Sequence, residues 1–504
     1  MFFAEVPATF INFVVMEKEK SEEKKNTYRS ILKGTSLLGG VQMFQILLTL
    51  VRGKFVAMLL GPDGMGLNSL FQSAANTVNQ TASLGLNLAI VRETVEAKKN
   101  EDRLATFVRV VRMLMIATSL LGMLFCVAFA PWLSQITFGS GDYAWQFVML
   151  GVAVFFMVYG NGTGSLLQGL HELKIISRIS VIGGVVSVGA GIPLYYFFGT
   201  KGIVPAISLM AMTITVSQIV ALRRILPGKY VKFSWHEHKP LIKKLVTTGI
   251  LLLSATLIST ICGYMLNVVV RVMGELDDVG FYNAASSLTS QYSGVVFMAM
   301  SLDYFPRLAE VNGNNREMRE IVNRQIEIVS VLIAPVAIIA VGFAPWILQL
   351  LYTREFIGIS PLVRWMALGV VIKALAYPRG FIAFAKDNRW LFFWLEGVVS
   401  NVLFLLMGIG GYYLFGLPGL GYGMLVENLL LWLVYYGVNR RIYGYRLNRK
   451  AFFSSAASVF LPAGAFMATL LSDEMAGYYL IALFFLGSAA FTFLKLRKML
   501  RAKE

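Results

Sequence analysis

Charged side chains are scarce in this 504-residue chain: they make up 14% of it, against 57% apolar residues. A soluble globular protein averages about 25% charged residues, so there are too few charges here to cover the surfaces of a soluble protein of this length. Mean hydropathy is +0.65, and apolar runs long enough to cross about 30 Å of hydrocarbon recur along the sequence. The composition predicts an all-α polytopic membrane protein. It excludes a soluble enzyme, a disordered chain and a β-barrel, whose strands alternate at every second residue.

Cysteine is also rare. Cys126 and Cys262 both lie inside apolar runs, which indicates buried thiols and no disulfide framework or CxxC metal site. No HExxH segment, Walker loop or nucleophile elbow is present. We therefore expect no catalytic residue, no metal and no cofactor. The segment Gly160-Asn-Gly-Thr-Gly164 looks like a phosphate loop, but it lies within an apolar span with no strand before it, so close helix packing is the better interpretation.

Positive charge is in excess, with 45 Lys and Arg against 28 Asp and Glu and a net charge of +17. In a membrane protein this excess indicates cytoplasmic loops, which collect Lys and Arg, and not a nucleic acid partner. The segment that precedes Met16 carries Glu5 and no Lys or Arg, so it lacks the positive region of a signal peptide. Met16, which opens a charged stretch, is an alternative start to Met1.

Junctions of turn-forming residues divide the apolar sequence into about fourteen candidate transmembrane helices. The spans cover residues 34–60, 64–90, 104–132, 144–170, 176–198, 202–222, 245–273, 279–305, 325–351, 361–384, 390–415, 419–438, 451–471 and 476–494. With a cytoplasmic N-terminus, the inner loops, the tails and the adjoining span ends hold 38 of the 45 Lys and Arg residues, whereas the outer loops hold only Lys201 and Arg354. A miscount by one span destroys this alternation, so we expect both termini in the cytoplasm.

The two halves of the chain resemble each other. FAPW occurs at 129–132 and 343–346, GVVS at 184–187 and 397–400, and YYFFG at 195–199 corresponds to YYLFG at 412–416. The three matches come in the same order with nearly equal offsets. Because each half has six spans, the second half enters the membrane in the same orientation. This predicts two six-helix lobes in a parallel repeat around a central cavity, followed by two extra C-terminal helices.

The repeat divides the chain into five parts. They are a cytoplasmic N-terminal tail (1–33), an N-lobe of helices 1–6 (34–226), a basic cytoplasmic linker (227–244), a C-lobe of helices 7–12 (245–440), and helices 13–14 with a basic cytoplasmic tail (441–504).

Polar side chains form a stripe on one face of the second span and again on the eighth, because they recur every four residues. The stripes consist of Asn68, Gln72, Asn76 and Gln80, and of Asn283, Ser287 and Gln291. Two interpretations stay open. The stripes line a hydrated lumen and contact sugar, or they hold helices together through hydrogen bonds worth about 0.6 kcal/mol each.

Five cations lie inside the spans, where each costs about 2.5–3.5 kcal/mol at the bilayer centre. They are Arg52, Lys54, Arg271, Arg364 and Lys373. Two acids, Glu396 and Glu427, are available to pair with some of them or to exchange a coupling ion. A cationic cavity lined by amides suits an anionic, hydroxyl-rich substrate, so we expect the five cations to bind a diphosphate head group.

This combination resembles the Wzx-type oligosaccharide flippases of the polysaccharide transporter family, in the MOP superfamily that also holds the MATE exporters and the lipid II flippases. The resemblance rests on the first span with Arg52 and Lys54, which ends in LLGPDGMGL at 59–67, on the polar second span, on the basic inner loops and on the plan of six, six and two helices.

The resemblance implies a multi-pass protein of the bacterial inner membrane that is not an enzyme. It implies translocation of undecaprenyl-diphosphate-linked oligosaccharide from the cytoplasmic to the outer leaflet by alternating access, for polysaccharide or O-antigen export. The implied partners are this glycan, membrane lipid, and a glycan polymerase with its export machinery.

Three alternatives stay open. A lipid II flippase has the same fold and a similar charge pattern. A MATE-like multidrug exporter of cations requires a net acidic cavity, whereas cations dominate here. A membrane-embedded glycan polymerase or ligase is an enzyme and requires a substantial outer loop, which the short outer junctions do not provide.

Overall fold

The fold is entirely helical in the residues that this computed structural model describes, which are 8–226, 235–471 and 474–501. Inside a bilayer each backbone polar group needs a partner within the protein, and an apolar chain meets this need by forming helices. The helices are α1 (Ala8–Ala82), α2 (Leu86–Ala97), α3 (Glu101–Ala128), α4 (Ala130–Phe138), α5 (Ala144–Gly169), α6 (Leu173–Gly189), α7 (Gly191–Phe198), α8 (Ile203–Ile225), α9 (Trp235–Met273), α10 (Leu276–Glu310), α11 (Asn315–Gly342), α12 (Ala344–Leu351), α13 (Ser360–Ala385), α14 (Arg389–Phe392), α15 (Ser400–Phe415), α16 (Leu417–Tyr443), α17 (Arg449–Ala468) and α18 (Glu474–Arg501).

Eleven segments of the described chain are long and apolar enough to cross a membrane. Two of them, Gly40–Ala82 and Leu173–Ile225, have 43 and 53 residues, or about 65 and 80 Å of helix, which is too long for one crossing. Each contains a backbone break, at Gly61 and at Gly199 respectively. Helix α10, where the eighth span is expected, is not among the eleven. The polytopic all-α class is confirmed, and the count of fourteen stays a prediction.

The break in α1 comes from the segment LLGPDGMGL. Gly61 has φ 68° and ψ −170°, a conformation that glycine adopts without a steric penalty. Pro62 follows it and cannot donate a hydrogen bond to the preceding turn. The sequence predicted a turn at 61–64, and the structure shows a sharp kink with helix on both sides. The first two spans are therefore joined without a loop.

The internal repeat is visible in the backbone. Helices α4 and α12 are short, and each starts inside one of the two FAPW segments. The residues before them, Phe129 and Phe343, have φ and ψ of −103° and 15° and of −102° and 15°. The same four residues thus end the third span of each half with the same local geometry, which supports the parallel repeat.

The apolar core crosses the seam between the two halves at the end of the molecule that holds the Gly61 kink. Leu70 and Ala74 of α1 belong to the same buried cluster as Ala284 and Ala285 of α10. The opposite end of the N-terminal half has a separate core, and α17 and α18 pack on α11. Helix α9 begins at Trp235, so residues 235–244 of the expected linker are helical.

Candidate functional site

Arg52 lies in a polar cavity of about 500 Å³ inside the N-terminal half. Its Nη2 atom is 3.4 Å from Asn68 Oδ1 and 3.3 Å from the hydroxyl oxygen of Tyr195. Two residues that the sequence selected separately, Arg52 and Asn68, are therefore in contact. The described residues that line this cavity include no Asp or Glu, so the Arg52 guanidinium is its only charged group.

The polar stripe of α1 faces this cavity. Gln72 and Asn76 line it, and Gln72 Nε2 donates to Asn76 Oδ1 at 3.2 Å. Gln80 continues the same face and is half-buried. Half a turn away, Leu70 and Ala74 are 0% and 2% exposed. The helix therefore turns its amides to open space and its apolar side chains to the protein core.

Further polar residues of the cavity come from α5 and α8. They were not among the site residues predicted from the sequence. Asn161 of α5 donates to Asn79 Oδ1 at 3.0 Å, and Thr215 and Gln218 of α8 complete the lining. Amides inside apolar spans were the available signal for Asn161 and Gln218. A Cβ on Gly160 would overlap Thr215 Oγ1, so the glycine-rich segment allows close helix packing, as predicted.

The stripe of α10 is divided between two environments. Asn283 donates to Asn267 Oδ1 at 2.9 Å, and Asn267 donates to Ser73 Oγ across the seam at 2.9 Å. This chain of hydrogen bonds fits the interpretation of amides that hold helices together. Gln291 donates to Ser287 Oγ and lines an apolar groove.

That groove has a volume of about 390 Å³ and lies between the first part of α1 and helices α10 to α12. Met43, Leu47 and Leu50 form one wall, and Leu288 and Ile339 belong to the other. Met43 and Leu47 are 58% and 59% exposed. The groove is thus an exposed apolar opening between the two halves.

Lys54 and Arg271 contact the opposite half of the molecule. The Lys54 ammonium donates to three carbonyl oxygens at the end of α12, those of Gln349, Leu350 and Tyr352, at 3.1, 2.9 and 2.5 Å. Cations are favourable at helix C-termini, where carbonyl groups lack partners.

Arg271 makes a similar contact from the other half. It packs on Gly139, the residue that ends α4, where a Cβ atom would lie 3.0 Å from Arg271 Nη1. Each half therefore places one cation against the short helix that follows FAPW in the other half. In this conformation neither Lys54 nor Arg271 shares the cavity of Arg52.

Lys373 lines a second cavity, of about 140 Å³, inside the C-terminal half. Its side chain is exposed, although most of α13 around it is buried. Glu427 and Asn428 of α16 lie on the same cavity. Lys373 acts electrostatically on Glu427 and on Glu396, so the structure brings this cation together with both acids.

The Glu396 carboxyl lies outside the lining of this cavity. It accepts a hydrogen bond from the Tyr435 hydroxyl at 2.8 Å, and the absent side chain of Gly380 leaves the space that its carboxyl occupies. Arg364 lies elsewhere. Its Nε donates to the carbonyl oxygen of Val341 at 3.2 Å, and it lines neither cavity.

Two repeated groups of helices, a cationic polar cavity and an apolar lateral groove define a membrane transporter of the two-lobed type. The solved structures agree on the fold. A MATE family multidrug transporter in its inward-facing conformation matches with a TM-score of 0.64 and 18% identity, over 81% of this chain and 98% of that one. The lipid II flippase MurJ in an inward closed conformation matches with a TM-score of 0.68 and 12% identity, over 92% and 99%.

The sequence profile described as "Polysaccharide biosynthesis protein" matches residues 55–361, and the chain belongs to this family. It is 24% identical over 366 residues to the lipid III flippase of Escherichia coli (strain K12), which covers 71% of this chain and 85% of that protein. The lipid III flippase of Shigella flexneri matches equally well. The family resemblance seen in the sequence is confirmed.

Proposed function

We propose that this protein is a flippase that moves undecaprenyl-diphosphate-linked oligosaccharide from the cytoplasmic to the outer leaflet of the bacterial inner membrane, for polysaccharide or O-antigen export. The observation that carries the proposal is the N-lobe cavity, in which amides surround Arg52 and no Asp or Glu is among the described lining residues. A guanidinium is the physical complement of a phosphate group, and amides complement sugar hydroxyls. Membership of a polysaccharide biosynthesis family and similarity to lipid III flippases support the same function.

The head group meets different cations as transport proceeds. Of the five cations, Arg52 and Lys373 line the cavities described above, and we assign them the first contacts with the diphosphate. Lys54 contacts Tyr352 and Arg271 contacts Gly139, each in the opposite lobe. They become available to the anion only when the outer ends of the lobes separate. Arg364, bonded to the backbone of α11, has a supporting role at the outer end of its span.

The sugar and the lipid occupy different surfaces. Asn68, Gln72 and Asn76 lie around Arg52, and we assign them the sugar hydroxyls. The apolar groove lined by Leu47 and Leu50 accommodates the lipid tail, which remains in the bilayer while the head group crosses. This division explains why a polar cavity and an apolar opening occur in one molecule.

Two driving forces are available to such a carrier. The cytoplasm is electrically negative, so outward movement of an uncompensated anion is favoured by about 2.3 kcal/mol per charge per 100 mV. Glu427, next to Lys373 on the C-lobe cavity, and Glu396 are candidates for exchange of a coupling ion. Both mechanisms operate without a catalytic step.

The alternatives are separated by the chemistry of the cavities. A carrier of cationic drugs needs acids where the N-lobe cavity presents Arg52. A lipid II flippase shares the fold and the charge, so only the substrate distinguishes it. A polymerase or ligase needs catalytic side chains in an outer loop, and the junction after α9 leaves only residues 274–275 between two helices.

Transport of defined lipid-linked glycans into proteoliposomes tests the proposal. The purified protein is expected to move undecaprenyl-diphosphate-linked oligosaccharide, and Arg52→Gln is expected to slow transport by at least about tenfold, whereas Arg52→Lys retains part of the activity. Arg354→Gln, at an exposed outer position, is the matched control and keeps the normal rate. Preference for lipid II over the oligosaccharide, or equal rates in Arg52→Gln and Arg354→Gln, would contradict the proposal.

A further inference from the structure

The outer ends of the two lobes meet through a pair of glycines that the repeat relates. A Cβ atom on Gly66 would overlap the carbonyl oxygen of Leu276, and one on Gly280 would overlap the carbonyl oxygen of Pro62. Position 66 is separated from 280, and position 62 from 276, by the same interval that separates the two FAPW segments at 129–132 and 343–346. The contact is therefore symmetric, and the repeat axis passes between the two backbones.

Asp63 and Asp277 are related by this same interval. They lie beside these glycines, and Asp63 acts on the Asp277 carboxyl both as a hydrogen-bonding neighbour and through its charge. A hydrogen bond between two carboxyl groups requires one proton, because two neighbouring carboxylates repel each other. Both residues lie in the outer junctions, outside the predicted spans. The arrangement places a titratable pair where one lobe must separate from the other.

The surroundings of the pair contain more acids and no compensating cation among the groups that act on Asp277. Glu275 and Asp278 belong to the same junction and add negative charge. The Tyr412 hydroxyl of α15 donates to Asp278, so it does not serve Asp277. The Asp277 Oδ1 atom is buried and accepts no described hydrogen bond. Burial and the neighbouring Asp63 raise the pKa of Asp277 to about 6.

We propose that Asp63 and Asp277 together form a proton-binding site on the outer face, and that the bound proton holds the outer ends of the lobes closed. The proposal rests on movement of the two lobes against each other, as in the proposed function. It does not depend on which substrate is carried.

The direction of the effect follows from linkage. When the lobes separate, the Asp277 carboxyl is in water and its pKa returns to about 4. The closed state therefore binds the proton more tightly, so closure is favoured at low pH and this preference is lost as pH rises through about 6. Between pH 8 and pH 4.5 the ratio of closed to open molecules is expected to increase about 25-fold.

Distances between spin labels at Gly141→Cys and Gly358→Cys measure this ratio directly. Both glycines are exposed on the outer side of different lobes, and an added Cβ meets nothing within 4 Å at either. The buried native cysteines, Cys126 and Cys262, are replaced by alanine in the same protein. In lipid nanodiscs without substrate, the short-distance population is expected to grow as pH falls from 8 to 4.5.

The variants Asp63→Asn and Asp277→Asn test whether these two side chains hold the proton. An amide donates a hydrogen bond to the remaining carboxyl without a proton from solution, so both variants are expected to stay closed across this pH range. Glu355→Gln, at another exposed acid on the outer face, is the matched control and keeps the normal pH dependence. Thermal unfolding of each variant verifies that it is folded.

Two results overturn the proposal: no pH dependence of the distances in the parent protein, or an unchanged dependence in both asparagine variants. Failure of oligosaccharide transport in proteoliposomes, together with a pH-dependent gate, would contradict the proposed function and leave the proton site standing.

Discussion

The ammonium of Lys54, in the N-lobe, lies 2.5 Å from the carbonyl oxygen of Tyr352, in the C-lobe. All three hydrogens of this ammonium have backbone acceptors at the end of one helix of the opposite lobe. Lys54, which the sequence predicted to bind the substrate, therefore also has a partner within the protein. Two contacts therefore join the lobes: the hydrogen bonds of the Lys54 ammonium and the close backbone approach at Gly66 and Gly280.

Replacement of Lys54 is predicted to open the outer side. Lys54→Met keeps the length of the side chain but removes three charge-assisted hydrogen bonds, of which two are exposed to solvent and therefore weak. We expect the closed population, measured by the spin-label distance between positions 141 and 358, to fall about tenfold. Lys201→Met, at the other outer lysine, is the control and is expected to leave the distance unchanged. An unchanged distance in Lys54→Met would mean that the contact does not hold the gate.

A larger side chain at Gly66 or Gly280 is also predicted to reduce the closed population. In Gly66→Ala or Gly280→Ala a methyl group meets a carbonyl oxygen of the other lobe, and backbone cannot move aside as a flexible side chain does. Each variant is expected to lose most of the closed population at pH 6 and to become more accessible to thiol reagents from outside. Gly410→Ala, where an added Cβ meets nothing within 4 Å, is the control. Normal closure in both variants would show that the lobes approach less closely than the structure indicates.

The face of α1 that carries Gln72 and Asn76 is predicted to be accessible to water. Single cysteines at Gln72 and Asn76 are expected to react with a soluble thiol reagent at least about tenfold faster than cysteines at Leu70 and Ala74, because only exposed thiols form the reactive thiolate readily. Labelling rates in the folded protein, followed by mass spectrometry, give the comparison. Equal protection at all four positions would favour interhelical hydrogen bonding over a hydrated cavity.

Lys373 is predicted to be essential for transport and dispensable for folding. Lys373→Gln keeps the approximate size and the hydrogen-bonding capacity but removes the charge that faces the C-lobe cavity. The variant is expected to accumulate in the membrane at the normal level and to lose at least about 90% of glycan export, whereas Lys373→Arg keeps part of it. Surface glycan and membrane protein are measured in the same cells. Normal export in Lys373→Gln would assign this lysine only to pairing with Glu427.

The orientation in the membrane is predicted from loop charge. A cysteine at Gly141 is expected to react with an impermeant thiol reagent added to intact cells, and a cysteine at Lys99 is expected to react only after the cells are opened. Both positions are exposed in the folded protein, so burial does not explain a difference. The reverse pattern would overturn the assignment of both termini to the cytoplasm.

The sequence by itself determined the class, the helices and the repeat, because these depend on local composition and on periodicity. Too few charges for a soluble surface, amides every four residues and the repeated FAPW segments are each readable from neighbouring residues. The contact of Arg52 with Asn68 could also be predicted from nearby residues, since the LGPDG kink between them brings the first two spans together.

Only the tertiary structure decided how the five cations are distributed. All five are positively charged and lie inside predicted spans, so the sequence predicted that all of them line one cavity. Whether a cation faces a cavity, as Arg52 and Lys373 do, or binds a helix end, as Lys54 does, depends on which helices the fold packs beside it. The pairing of Asp63 with Asp277 has the same origin. Two carboxyls from opposite halves of the chain acquire a shared proton only where the repeat axis brings them into contact, and long-range packing alone fixes the position of that axis.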